Sequence, residues 1–233
     1  MRRVAIMQPY FLPYIGYFQL IAAVDLFIVY DNIKYTKKGW INRNRILCDG
    51  HDALITLPLK AAADSLLVCE RELAAEFDPR RLLRQVTGAY RSAPCFDETL
   101  PLVERILGHG DRNLFGFIHH SIVETCRHLG LDTEIAVSSA FGIDHTLKAQ
   151  DKVLALCRAA GAATYVNAIG GTELYSADTF RARGIGLRFV KSRPFEYHQF
   201  GKAFVPWLSI LDVMMFNPRD RVLAAIRGEY DLV

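Results

Sequence analysis

The sequence predicts an α/β protein with a Rossmann-like, mostly parallel sheet flanked by helices and a central helical insertion. Three observations carry that reading. A short apolar run, a proline-broken loop, an apolar helix and a second apolar run succeed one another over residues 3–31, which spells a βαβ unit. The same alternation returns after Gly130. Between the two lie three amphipathic helical stretches. The 233 residues, 51% hydrophobic and 23% charged, suit one domain over 1–233 with an ample core rather than a disordered chain.

Arg3 to Met7 (RVAIM) is rich in β-formers and reads as a buried strand. Pro9 and Pro13 stiffen the QPYFLPY loop that follows. Ile15 to Val24 restarts as an apolar helix, and Leu26 to Asp31 (LFIVYD) is a second strand. Trp40 to Leu47 and Ala53 to Leu57 read as strands joined by a turn at Cys48-Asp49-Gly50, and LLVCERE near 66–72 as another strand. Asp78 and Pro79 supply a cap and first-turn proline for a helix through Tyr90. Phe96 to Leu107 and Leu114 to Leu129 follow with helical apolar spacing. Residues 78–129 are thus a helical insertion or a cover for the sheet. Glu134 to Ser139, Ala163 to Ile169 and Gly186 to Lys191 are strands. Lys148 to Ala160 and Ser176 to Arg183 are helices, and the tail supplies a hydrophobic helix and a final one opened by Pro218.

Charge and composition narrow the function. A net charge of +3 argues against a dedicated nucleic-acid binder. The N-terminal apolar stretch is cut by Gln8, Pro9 and Pro13, and no small-residue cleavage site follows it. With no apolar run long enough to span a bilayer, the expectation is a cytoplasmic protein without membrane insertion. Five cysteines, an odd number with no CxxC pair, argue for a reducing compartment. Neither HExxH nor a Cys/His ligand pattern occurs, so no metal is expected, and no cofactor is predicted either. His119 and His120, adjacent on an apolar helix, read as structural. His198, Ser209 and Asp212 lack the GxSxG context that a hydrolase triad needs.

Three segments carry candidate chemistry. The loop after the first strand occupies the carboxyl edge where ligands gather in such sheets. There Gln8 offers an amide, Tyr10, Tyr14 and Tyr17 offer hydroxyls, and Gly16 at the helix start favours a phosphate. The second, Asp31 to Arg45, interleaves basic and aromatic residues. Lys38 and Arg43 suit phosphate, Trp40 suits stacking, Asn42 suits hydroxyls, and Asp31 at a strand end suits orienting an amine or acting as a base. In the third, Gly170, Gly171 and Thr172 open a helical turn after a strand and form a candidate anion cradle. Lys148 and Lys152 share one helical face that could complete the pocket.

At QPYFLPYIGYF…DLFIVYDNIKYTKKGWINRNRI, at NAIGGTELY and at FVPWLSILDVMMFN, the chain resembles the WbqC-like family over nearly its whole length. The matching positions are Gln8, Pro9, Tyr10, Pro13, Gly16, Tyr17, Asp25, Asp31, Trp40, Asn42 and Arg43, with Asp151, Gly170, Gly171, Ser209 and Asp212 matching more loosely. The resemblance implies a place in bacterial O-antigen or other surface-polysaccharide assembly. From it follows the expectation of a transferase, moving an acyl or aminoacyl group onto a nucleotide-linked amino sugar, with Asp31 as the catalytic residue. A non-catalytic accessory protein that binds a sugar nucleotide is the alternative, and a homodimer or a partner enzyme of the same pathway is left open. PYIGY is also distantly similar to the HxGH loop of nucleotidylyltransferases, with Tyr14 and Tyr17 where that superfamily has histidines. That similarity implies nucleotide binding and leaves a nucleotidyltransferase as a further alternative.

Overall fold

Arg3–Met7 (β1) and Leu26–Val29 (β2) pair in parallel, with Val4 opposite Leu26 and Ala5 opposite Phe27. Successive strand residues face opposite sides, so Ala5, Phe27 and Val29 enter one core while Val4, Ile6, Leu26 and Ile28 enter another. Burial on both faces is why these strands are apolar throughout. In this computed structural model, which describes residues 1–201 and 203–233, the remaining strands of the sheet are Glu134–Val137 (β5), Thr164–Ala168 (β6), Gly186–Ser192 (β7) and Tyr230–Leu232 (β8). Their order is β5-β2-β1-β6-β7-β8, and only the β7/β8 pair is antiparallel. The mixed α/β architecture is the Rossmann-like one expected.

Helix α1 (Ile15–Ala22) lies on the first face, and α5 (Ala149–Ala159) and α6 (Ala177–Ala182) on the second. The helices α2 (Pro79–Tyr90), α3 (Phe96–Leu107) and α4 (Leu114–Leu129) share the first core with α1 and with α7 (Ile210–Phe216) and α8 (Arg219–Gly228). Their boundaries follow local chemistry. Asp78 accepts the Arg80 N–H, Asn113 accepts the Gly116 N–H, and Gly130 ends α4 at φ +71°.

Three local expectations change. Residues 66–72 are not a strand: Val68–Glu70 is a 3-10 turn, closed by the Glu70 carboxylate on the Leu67 N–H at 2.7 Å. The strand expected from Trp40 begins only at Arg43. Arg43–Cys48 (β3) and His51–Thr56 (β4) form a separate antiparallel hairpin outside the main sheet. The edge strand β8, too short and polar to announce itself, closes the sheet at the C-terminus.

Candidate active-site cleft

Strand order reverses between β1 and β6, the chain running to β2 and β5 on one side and to β7 and β8 on the other. The connections after these two strands diverge to opposite faces and leave a crevice at their carboxyl ends. A cleft of about 1100 Å3 opens there. One wall is the loop after β1, with Gln8, Tyr10, Tyr14, Gly16 and Tyr17. Another follows β6, with Gly170, Gly171 and Tyr175, and a third is the segment from His145 to Lys152 at the start of α5. Among the described residues, Lys34, Lys148 and Lys152 line the cleft and no Asp or Glu does, which makes the lining cationic.

Lys152 is nearly buried, and its Nζ donates to the Asn32 carbonyl at 3.0 Å and to Asn32 Oδ1 at 2.9 Å. Burial lowers its pKa, partly offset by the nearby Asp31 charge and the Cys69 thiol. Two of the three hydrogen-bonding positions on this tetrahedral nitrogen are thereby occupied, and the nitrogen also lies over the Tyr30 ring, 5.5 Å from its centre. The Ser138 hydroxyl lies 2.9 Å from Asn32 Oδ1 and 2.7 Å from Asp31 Oδ1. Asp31 also accepts the Ser139 N–H at 3.0 Å. Burial pushes the Asp31 carboxyl up, but the hydrogen bonds from Ser139 and Ser138 outweigh it and hold it below its usual 3.8. Asp31 is therefore an ionised group one layer beneath the cleft. A chain Asp31–Ser138–Asn32–Lys152 connects it to the amine.

On the other side of Asn32, its amide nitrogen meets His145 Nδ1 at 2.8 Å, while His145 Nε2 reaches the Phe141 carbonyl at 3.0 Å. With Asn32 Oδ1 accepting from Lys152, the amide donates, and this assigns the Nε2-protonated neutral imidazole. Both ring nitrogens are thus engaged. The phenols of Tyr10, Tyr14, Tyr17, Tyr30 and Tyr175 all have raised pKa values, chiefly through burial, and stay protonated at neutral pH. They serve as hydrogen-bond donors and apolar walls.

The glycines have a packing reason. A Cβ on Gly16 would stand 2.4 Å from Tyr14 Cε2, so the residue is small because the tyrosine ring folds back over the helix start. A Cβ on Gly171 would meet Asn167 Nδ2 at 2.4 Å, whereas Gly170 is unobstructed. Strain gathers nearby: Leu12 and Ala149 hold φ of +44° and +46°. The Leu12 carbonyl is gripped by Asn44 Nδ2 and Ser209 Oγ, each at 2.7 Å, which fixes the loop.

Of the residues expected at the site, Gln8, Tyr10, Tyr14, Tyr17, Gly16, Gly170 and Gly171 meet in the cleft. Thr172 is exposed beside it, its hydroxyl turned to the Ile169 carbonyl. Asn42 is buried between Tyr35 and Leu57, Arg43 donates to the Gly39 carbonyl, and Lys38 is exposed. Trp40 borders a neighbouring pocket. Asp212 accepts from Tyr90, Tyr197 and Gln199 in the core, and Ser209 caps α7. Neither pairs with a histidine. His120 stacks on His109 with 3.9 Å between ring centres, away from the cleft. Asn32 and His145 were the residues unmarked in the sequence. Asn32 follows Asp31 directly, yet its role depends on partners more than 100 residues away.

Fold and cleft together define a Rossmann-like α/β protein with a lysine-lined cleft at its strand-order switch point. The sequence profile of the WbqC-like protein family matches residues 8–224, and the chain belongs to that family. It is 28% identical over 220 residues to uncharacterized protein Rv1507c of Mycobacterium tuberculosis (strain ATCC 25618 / H37Rv), covering 93% of this chain and 94% of that one. No solved structure matches it. Among the described residues, no helix is long and apolar enough to cross a membrane.

Proposed function

We propose that the cleft binds a nucleotide-linked amino sugar and that the protein transfers an acyl or aminoacyl group to the sugar's amine, as a cytoplasmic step in surface-polysaccharide assembly. The observation that carries the reading is the set of three lysines without a single carboxylate in the cleft. Lys34 and Lys148, exposed at its rim, neutralise the diphosphate, and the tyrosine walls cover base and sugar. Lys152, which lines the cleft and has a lowered pKa, takes the proton that the acceptor amine must lose. The amine nitrogen bonds to the donor's acyl carbon, the bond from that carbon to the donor's leaving atom breaks, and the proton passes from the amine to Lys152. Asp31 acts through Ser138 and Asn32 as a positioning residue rather than by contact.

Mass spectrometry of a nucleotide-linked amino sugar incubated with protein and an acyl-coenzyme A tests this. The expected result is a mass gain equal to the acyl group with one free thiol released per transfer. The neutral His145, with both nitrogens engaged, favours a second reading, a non-catalytic sugar-nucleotide-binding accessory protein. Tight binding with no product from any donor supports that reading. Pyrophosphate release from a nucleoside triphosphate points to nucleotidyl transfer instead.

A further inference from the structure

Across Tyr10 and Tyr14, which line both spaces, the cleft adjoins a second pocket of about 230 Å3. Its other described walls are Pro13, Trp40, Asn44, Arg45 and Trp207. Both indoles are unusually exposed for their type, Trp40 at 44% and Trp207 at 65%. Trp207 keeps that exposure at φ +60°, a left-handed backbone that bulky residues rarely adopt.

The pocket's electrostatics differ from those of the cleft. Among the described residues that line the pocket the one ionic group is Arg45, which is paired with Asp52 at 3.2 Å and also donates to the Trp207 carbonyl at 3.3 Å. Its guanidinium covers one face of Trp40 at 5.5 Å. The amide of Asn44 is spent on the Phe11 and Leu12 carbonyls. An aromatic pocket whose described arginine is ion-paired thus borders a lysine-lined cleft. Tyr14 and Trp207 meet at 65° with 6.1 Å between ring centres, forming an angled corner rather than a parallel slot. A flat base gains most when stacked between parallel faces. A puckered sugar ring, with C–H groups on one face and hydroxyls at its edge, fits a corner.

We infer that the space between Trp40 and Trp207 is a second subsite, for one neutral pyranose ring, separate from the anionic ligand's site. It places a carbohydrate unit next to Tyr14, at the boundary of the two compartments. The inference goes beyond the proposed transfer and holds whatever anion the cleft takes.

The chain has two tryptophans, and both line this pocket, so its intrinsic tryptophan fluorescence reports on the pocket directly. The experiment titrates methyl N-acetylglucosaminide and methyl glucoside, with uridine and glycerol as controls. A saturable change with a glycoside, absent with both controls, is expected. Trp207→Leu, which leaves Trp40 as reporter, should weaken the glycoside by about tenfold or more. The Lys34→Ala/Lys148→Ala protein should retain the wild-type response. No glycoside response, a response to uridine alone, or unaltered affinity in Trp207→Leu would overturn the inference. A glycoside response in a protein that binds no nucleotide-linked sugar would leave the subsite standing and remove the proposed function.

Discussion

Lys152 has two of its hydrogen-bonding positions taken by one asparagine, and its proton affinity is set by the balance between burial and the charge of Asp31. Removing that charge lowers the Lys152 pKa further, because the larger of the two effects that offset burial is lost and only that of the Cys69 thiol remains. For transfer that requires the neutral amine, activity rises with pH through the Lys152 pKa. Asp31→Asn is therefore expected to move this rise to lower pH, as measured by the pH–rate profile; a merely structural Asp31 would lower the rate without moving the limb. Gly16→Ala drives a methyl into the Tyr14 ring, whose flexible side chain can swing away. Folding stability should change by less than about 1 kcal/mol while ligand affinity falls, readable from thermal unfolding and calorimetric titration. The position of Asp31 at a strand's carboxyl end was legible in the sequence. Its removal from contact was not, because Ser138 approaches from 107 residues away.

At the scale of elements, the cleft wall formed by residues 8–14 is held from outside. Asn44 on β3 and Ser209 at the start of α7 both bind the Leu12 carbonyl, and the Phe11 N–H donates to Ile41 at 3.0 Å. Ser209→Ala should cost about 1–2 kcal/mol in denaturant unfolding and loosen the wall, since a buried carbonyl loses a partner. Equal stability of the variant would refute this bracing. Helices with their own punctuation, Asp78 before the first and Gly130 after the third, could be read directly from the chain, whereas the Asn113 cap emerges only in the structure. The segment at 66–72 could not. Its apolar residues suit a strand, but Glu70 closes a turn on Leu67, while the Val68 and Cys69 N–H groups bond to Ile33 and Asp31. Those partners are set by tertiary packing, which local pattern does not contain.

Over the whole molecule, strand alternation sorts the apolar residues into two cores, and the βαβ order of the sequence predicts that arrangement. The reversal between β1 and β6, which makes the cleft, arises from which strands pair and is invisible to periodicity. The larger core also encloses Asp212, which accepts from Tyr90 at 2.8 Å and from Tyr197 and Gln199 at 2.6 Å each. Asp212→Asn should destabilise by about 2–3 kcal/mol in chemical denaturation, because the new amide sets a donor against donors. The central claim is that the lysine-lined cleft takes an anionic nucleotide-linked sugar. Its most direct measurement is the thermal midpoint of wild type and Lys34→Ala/Lys148→Ala against a panel of nucleotide-linked sugars at low and high salt. The account predicts a rise in the wild type that shrinks with salt and in the double variant. A flat panel, or an equal rise in both proteins at both salt concentrations, would contradict it.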